Sequence, residues 1–181
     1  MTTIELAPGS WTLDQAHTEV SFSVRHAGIS KVRGQFTDAD ATLTVGESVD
    51  SSAVEATVKT ASFDSNDDNR DAHVKGADFF DVEQFPTMTF KATRVEGTPD
   101  DFRVSGDLTI KETTKPVTFD VEFGGVAVDP FGATRAGFSA STQISRKEFG
   151  ITWNAALEAG GVLVGDKVTI TVDSAFVLPA N

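Results

Sequence analysis

Apolar and polar residues alternate along almost the whole chain with a period of two, the pattern of a strand that buries one face. From Glu19 to His26, Val20, Phe22 and Val24 share one face, while Glu19, Ser21, Ser23 and Arg25 share the other. Met88, Phe90 and Ala92 alternate with Thr87, Thr89, Lys91 and Thr93. Phe102, Val104, Gly106, Leu108 and Ile110 alternate with Arg103, Ser105, Asp107, Thr109 and Lys111. Val117, Phe119, Val121 and Phe123 form a further set, as do Ala136, Phe138, Ala140, Thr142 and Ile144, and then Val168, Ile170 and Val172. Shorter strands are expected over residues 11–13, 33–45 and 54–60.

Turn chemistry divides these segments. Thr98-Pro99-Asp100-Asp101 reads as a hairpin turn. Glu112-Thr113-Thr114-Lys115-Pro116 closes one strand, Asp129-Pro130-Phe131-Gly132 separates the next pair, and Gly46 with residues 47–52 separates an earlier one. Eight or nine strands with short links predict an all-β, up-and-down antiparallel meander. Closing it into a barrel buries the single apolar face most simply; a two-sheet sandwich buries the same face. A bulge within residues 33–45 would reverse the inward face of that strand.

Residues 62–84 break the alternation. Asp67-Asp68-Asn69-Arg70-Asp71 offers N-cap residues for a short helix through His73. Residues 77–83, with Phe79 and Phe80 adjacent, suit a second helical turn, and Phe85 before Pro86 should be extended. A connection this long in a compact β-domain is functional or disordered. Its Phe pair favours packing over one barrel mouth. One barrel domain is therefore expected over residues 11–178, with tails at 1–10 and 179–181.

Composition narrows the function. Hydrophobic residues at 39% and charged residues at 23% fit a globular protein. No apolar run reaches the roughly 20 residues that span a bilayer. Met1 to Gly9 contains Glu5 and lacks a basic and an apolar segment, so no secretory signal is read there and a cytoplasmic setting is expected. With no cysteine, disulfides and thiolate chemistry drop out. The formal charge of −12 argues against nucleic acid and against tight electrostatic docking on an anionic membrane. Fourteen Phe and no Tyr suit a greasy interior with few hydroxyl partners.

Candidate chemistry is sparse. His17 and His26 stand nine positions apart at the two ends of one strand, and by parity on opposite faces, so no metal site is expected. His17 reads as capping a turn beside Asp14, and the run from Asp64 to Asp71 as a solvated capping cluster. No nucleophile elbow, phosphate-cradling loop or dinucleotide fingerprint occurs. His26 continues the inward parity of Val20, Phe22 and Val24, placing it at the inner rim as a structural residue or a head-group contact. Arg146 either anchors an anionic head group or pairs with an Asp of the long connection. Phe149, Ile151 and Trp153 line that mouth or fill it.

These fragments, in order, closely resemble the YceI-like family of polyisoprenoid-binding proteins. They are Trp11-Thr12-Leu13-Asp14-Gln15-Ala16-His17-Thr18, Phe22-Ser23-Val24-Arg25-His26, Val32-Arg33-Gly34-Gln35-Phe36 and Asn69-Arg70-Asp71-Ala72-His73-Val74. Asp78-Phe79-Phe80-Asp81-Val82, Phe85-Pro86, Gly106-Asp107-Leu108-Thr109-Ile110 and Arg146-Lys147-Glu148-Phe149-Gly150-Ile151 follow. The resemblance implies a lipocalin-like closed antiparallel barrel of about eight strands with a short helical connection. It implies a polyprenyl phosphate or isoprenoid quinone as ligand, no other cofactor, and assembly as a homodimer. Many members of the family are periplasmic, from which this chain would depart.

Inward parity then gives the expected barrel lining: Val20, Phe22, Val24, Phe36, Met88, Phe90, Phe102, Val104, Leu108, Ile110, Phe119, Val121, Phe123, Phe138, Ile144, Phe149, Trp153 and Ile170. His26, Arg146, Phe79 and Phe80 are the expected mouth residues. Burying apolar carbon is worth about 0.8 kcal/mol per CH₂, against about 1.5–3 kcal/mol for one charge-assisted hydrogen bond. The tail should therefore dominate affinity and the head selectivity. Carriage, storage or sequestration is the leading reading, with no catalytic residue expected. The rivals are an enzyme using His26 or His73 on a lipophilic substrate, and a stress-response interaction module with a solidly packed barrel.

Overall fold

A computed structural model describes residues 6–98, 100–158 and 160–179. The alternating segments form eleven strands: β1 (Gly9–Leu13), β2 (Glu19–His26), β3 (Ser30–Phe36), β4 (Ala39–Val45), β5 (Ala53–Lys59), β6 (Phe63–Asp64), β7 (Thr87–Thr98), β8 (Asp101–Ile110), β9 (Thr113–Val128), β10 (Thr134–Ser145) and β11 (Val164–Leu178). One sheet runs β1-β4-β5-β7-β8-β9-β10-β11 and closes where β11 pairs with β1. The result is an eight-stranded antiparallel barrel. Closure leaves these strands no free edge.

β2, β3 and β6 extend three of the eight staves instead of adding new ones. β1 and β2 lie end to end along β11, with Leu13 opposite Phe176 and Glu19 opposite Asp173. β4 and β3 lie end to end beside them, with Trp11 opposite Leu43 and Val20 opposite Phe36. β5 and β6 repeat the arrangement, with Val58 opposite Ala39 and Asp64 opposite Gln35. The chain is thus an up-and-down meander with three broken staves. Residues 33–45, expected as one strand, are two strands parted at Thr37 and Asp38.

The three breaks stand in a row and are tied together. In the first, the Thr18 hydroxyl donates to the Asp14 carbonyl (2.7 Å) and the Asp14 N–H to the Ala175 carbonyl (2.8 Å). The Gln15 amide donates to the Thr37 carbonyl in the second break (2.7 Å). The Thr37 N–H and hydroxyl both donate to the Ser62 carbonyl in the third (3.2 and 3.3 Å). Beyond this line β6 pairs only with β3, while β7 begins beside the end of β5. The wall therefore parts between β6 and β7.

Residues 65–86 fill that gap. Helix α1 (Asp68–Lys75) is N-capped by Asp67, whose carboxylate accepts the Arg70 N–H at 3.0 Å. The second helical turn expected over residues 77–83 is instead a run of reverse turns. Asp81 has a φ of +49°, and the N–H groups of Phe80 and Val82 return to the carbonyls of Val74 and Lys75. Buried Thr60 fastens the end of this segment, donating from its hydroxyl to the Phe85 carbonyl (2.7 Å).

Two further differences have simple causes. The chain reverses at Lys111, in the left-handed region at φ +57°, and β9 runs unbroken through Pro116. Pro116 lies opposite Asp107, while the pairing of β9 with β10 reaches only to Asp120, so its missing N–H interrupts no ladder. In the predicted Thr98-to-Asp101 turn, Pro99 lies outside the described residues. At the end of the barrel away from α1, Gly9 and Ser10 belong to β1, and Leu6 packs with Trp11, Ala41, Val45, Ala136 and Phe176. The fully buried Trp11 donates its indole N–H to the Ala7 carbonyl (3.0 Å). Among the described residues no helix is long and apolar enough to cross a membrane.

Arg135 on β10 clamps this end. It bonds to Asp14 at the first stave break and, through Nε, to Asp129 at 2.9 Å. Both carboxyls are held below their usual range, chiefly by these bonds. A carboxylate whose folded pKa is lowered contributes stability above about pH 4 and loses it as the pH falls through the folded value. Arg135→Gln is therefore expected to lower the thermal midpoint at neutral pH. The gap to the unaltered protein should close on acidification below about pH 4. Equal gaps at both pH values, measured by calorimetry, would contradict this.

Candidate functional site

The barrel is hollow. Phe22, Phe90, Phe119, Phe138 and Ile170 point inward yet are only half-buried, because their inner faces border empty space. An upper chamber of about 250 Å³ lies between β4, β5 and β7–β11. A lower chamber of about 490 Å³ lies between β2, β3, β11, α1 and the segment after it. Val20, Met88, Ile110 and Ile170 face both. Contributed by β2, β7, β8 and β11, they form a waist shared by the two chambers, which stand in series along the barrel. Each chamber lies in or near the size range of small-molecule sites.

Apart from Thr18, Asp40, Ser52, Thr89 and Ser174, the upper chamber is walled by aliphatic and aromatic side chains. Two inward glycines help keep the bore open. A Cβ on Gly106 would meet the Phe90 ring at 2.7 Å, and one on Gly34 the Phe22 ring at 2.6 Å. Both rings therefore rest against the wall in space that only glycine leaves. In the lower chamber Phe22 stacks on Phe63 at 5.3 Å, and Phe36 meets Phe80 edge-on at 5.6 Å. Phe79 lies 5.5 Å from Trp153, whose ring also meets His73 edge-on at 4.7 Å.

Charged and imidazole groups gather chiefly at the lower chamber. Arg25, His26, Asp67, Asn69, Arg70 and His73 border it. Arg70 donates from Nε to the Ser65 hydroxyl (2.8 Å) and from Nη2 to the Ser65 carbonyl (2.7 Å). His73 Nε2 lies 2.9 Å from the Asp78 carboxylate. His26 is exposed at the end of β2, opposite Ser30 and Val164. His17 bonds to Asp14 at 2.7 Å in the first stave break, outside both chambers. Among the described residues, no group of three His, Cys, Asp or Glu side chains could hold a metal ion.

Arg146 borders the lower chamber but faces the protein's own backbone. Only 4% exposed, it donates to four carbonyls: Gly165 (2.8 Å), Ile151 (2.9 Å), Trp153 (2.9 Å) and Val164 (3.1 Å). Burial draws its pKa below the ordinary value, partly offset by the charge of Asp166. Neither sequence reading of Arg146 matches this arrangement. No Asp of the long connection pairs with it, and its donors are largely used in pinning the loop between residues 151 and 165.

A model of the YceI-like domain matches residues 11–176. The chain belongs to the YceI-like family. This YceI-like chain is 37% identical over 170 residues to a UPF0312 protein of Staphylococcus aureus (strain bovine RF122 / ET3-1), covering 92% of this chain and 96% of the relative. A UPF0312 protein of Staphylococcus epidermidis (strain ATCC 12228) is 37% identical over 169 residues with the same coverage. Among solved structures, the Campylobacter jejuni YCEI protein is 29% identical with a TM-score of 0.72, covering 93% of this chain and 97% of that one. Burkholderia cenocepacia BcnA shares the fold at 23% identity and a TM-score of 0.78, covering 90% and 98%. A polyisoprenoid binding domain from Saccharophagus degradans, implicated in plant cell wall breakdown, shares it at 10% identity and 0.67, covering 93% and 98%.

The sequence-derived residues fall as follows in this YceI-like barrel. Phe90, Phe102, Val104, Leu108, Phe119, Val121, Phe123 and Phe138 wall the upper chamber. Phe22, Val24, Phe36, Ile144, Trp153, Phe79 and Phe80 wall the lower one, and Val20, Met88, Ile110 and Ile170 form the waist. Phe149 is on neither wall: it is 2% exposed and packs behind the bore with Phe79, Leu108, Ile110 and Ile151. Parity missed Leu6, set in a supposed tail, and the rim residues Arg70 and His73. The spacing of Arg70, His73 and Val74 marks one face of a helix and was the available signal.

Proposed function

We propose that this YceI-like protein binds one long isoprenoid lipid, a polyprenyl phosphate or an isoprenoid quinone, and carries or stores it without chemical change. The single observation behind this reading is the hollow interior itself, two mainly apolar chambers in series that share the waist of Val20, Met88, Ile110 and Ile170. A compact substrate would need one chamber; a flexible chain suits two in series. The fold shared with the Saccharophagus degradans polyisoprenoid binding domain supports the ligand class. The tail enters the upper chamber and the head rests at the lower rim, near His26, Arg70 and His73. A hollow interior also disfavours the solidly packed interaction module.

Mass spectrometry of organic extracts from the purified protein tests the proposal. A stoichiometric prenyl lipid, recovered unaltered after incubation, supports it. A clean extract together with no uptake of added prenyl quinone counts against it, and turnover lost in His26→Ala or His73→Ala would favour an enzyme. The cytoplasmic setting and the homodimer belong to the same proposal, and cell fractionation and sedimentation equilibrium check them.

A further inference from the structure

The chain's negative charge is unevenly spread. Residues 25–33, Arg-His-Ala-Gly-Ile-Ser-Lys-Val-Arg, hold three cations and no acid, within a protein of 27 acids and 15 bases. They form the tip of the β2–β3 hairpin. Arg25 lies directly opposite Lys31, and Arg33 opposite Ser23, so the three share one face. Like charges directly opposite in a sheet are destabilising. Among the described residues none of the three has an ion-pair partner within 4.0 Å. Three acids of neighbouring elements are occupied locally. Asp166 accepts from the Ser145 hydroxyl and the Lys147 N–H, Asp64 from the Asn66 N–H, and Asp67 from the Arg70 N–H.

At the apex of this charged tip stands a large apolar side chain. Ala27 and Gly28 both have positive φ (+52° and +72°), the paired left-handed geometry of a tight hairpin turn, and the Ile29 N–H closes it onto the His26 carbonyl. Ile29 is 86% exposed. Val162, half exposed, lies in the adjoining loop, where the Leu163 carbonyl accepts the Ala27 N–H at 2.7 Å. Arg25, His26, Leu163 and Val164 border the lower chamber, so the tip stands beside its polar rim.

We propose that the β2–β3 hairpin tip docks on an anionic lipid surface, with Ile29 entering the headgroup layer and Arg25, Lys31 and Arg33 facing the lipid charges. Each basic residue near such a surface strengthens binding about fivefold, and the contribution fades within a Debye length of about 8 Å. Acids farther than that from the tip are screened from the contact, whereas Asp64, Asp67 and Asp166 on neighbouring elements weaken the approach. Docking is reversible and presents the lower rim to the bilayer. That this rim is the port for a prenyl cargo rests on the function proposed above; the docking itself does not.

The test uses the full chain and vesicles free of prenyl lipid, so that it stands apart from cargo binding. Co-sedimentation with phosphatidylglycerol–phosphatidylcholine vesicles is compared with pure phosphatidylcholine at low and high salt. The expected result is binding selective for the anionic vesicles, abolished by high salt and reduced at least about fivefold in Lys31→Glu/Arg33→Glu. Ile29→Trp keeps the charges and should shift its emission to the blue on anionic vesicles. Should the double variant fail to fold, Lys31→Gln/Arg33→Gln takes its place. Equal binding to both vesicle types, undiminished binding by the charge variant, or no binding at low salt would overturn the proposal. So would a self-associating tip, seen as a dimer that Ile29→Asp dissociates while vesicle binding is unchanged.

Discussion

Arg146→Ala is expected to cost the barrel on the order of 3–5 kcal/mol of stability, because it strands several buried carbonyls at once. The guanidinium holds the carbonyls of Ile151, Trp153, Val164 and Gly165 at distances of 2.8–3.1 Å. Those bonds tie the loop after β10 to the start of β11, and Trp153 and Val164 in turn border the lower chamber. Loss of the fork should lower the thermal midpoint by about 10 °C or more for a chain of this size. Arg146→Lys should recover only a minor part, since an ammonium cannot reproduce the planar fork. Calorimetry of the three proteins decides. A near-neutral Arg146→Ala that lost only ligand affinity would return Arg146 to the role of head-group anchor.

Ile170→Trp should divide the bore. Ile170 is one of four side chains that face both chambers, and it is only half-buried, so the larger ring has space to enter at the waist. A ligand whose tail ends in the lower chamber should bind the variant nearly as well as the unaltered protein. A tail of several isoprene units would lose its upper segment. At about 0.8 kcal/mol gross per buried CH₂, discounted for ordering, that amounts to about 100-fold or more in affinity. Parallel titrations with a short and a long prenyl quinone measure the difference. Equal losses for both ligands would mean that the substitution damages the fold or that the tail never passes the waist.

The contrast between these two positions shows what the sequence made legible. Ile170 follows the parity of Val168 and Val172, and parity is a property of the strand itself, so its inward direction could be read locally. The same holds for Phe90, Phe119 and Phe138. Arg146 binds backbone carbonyls of a loop that has no periodicity, and no side-chain pattern encodes such acceptors. The row of breaks at residues 14–18, 37–38 and 60–62 escaped for a related reason. Each break is an ordinary turn by sequence, and only the bonds from Gln15 to Thr37 and from Thr37 to Ser62 align them. That alignment accompanies the parting of β6 from β7, which makes room for α1 and the lower rim. Arg70 accordingly looked like part of a solvated acidic run until the helix turned it toward the chamber.

The most direct measurement of the central claim is the affinity of the unaltered protein for prenyl quinones that share one head group and differ only in the number of isoprene units. A bore continuous through the waist predicts that affinity climbs steeply with length until both chambers are filled, and then levels off. Affinity indifferent to tail length, or already level once the lower chamber alone is filled, would contradict it.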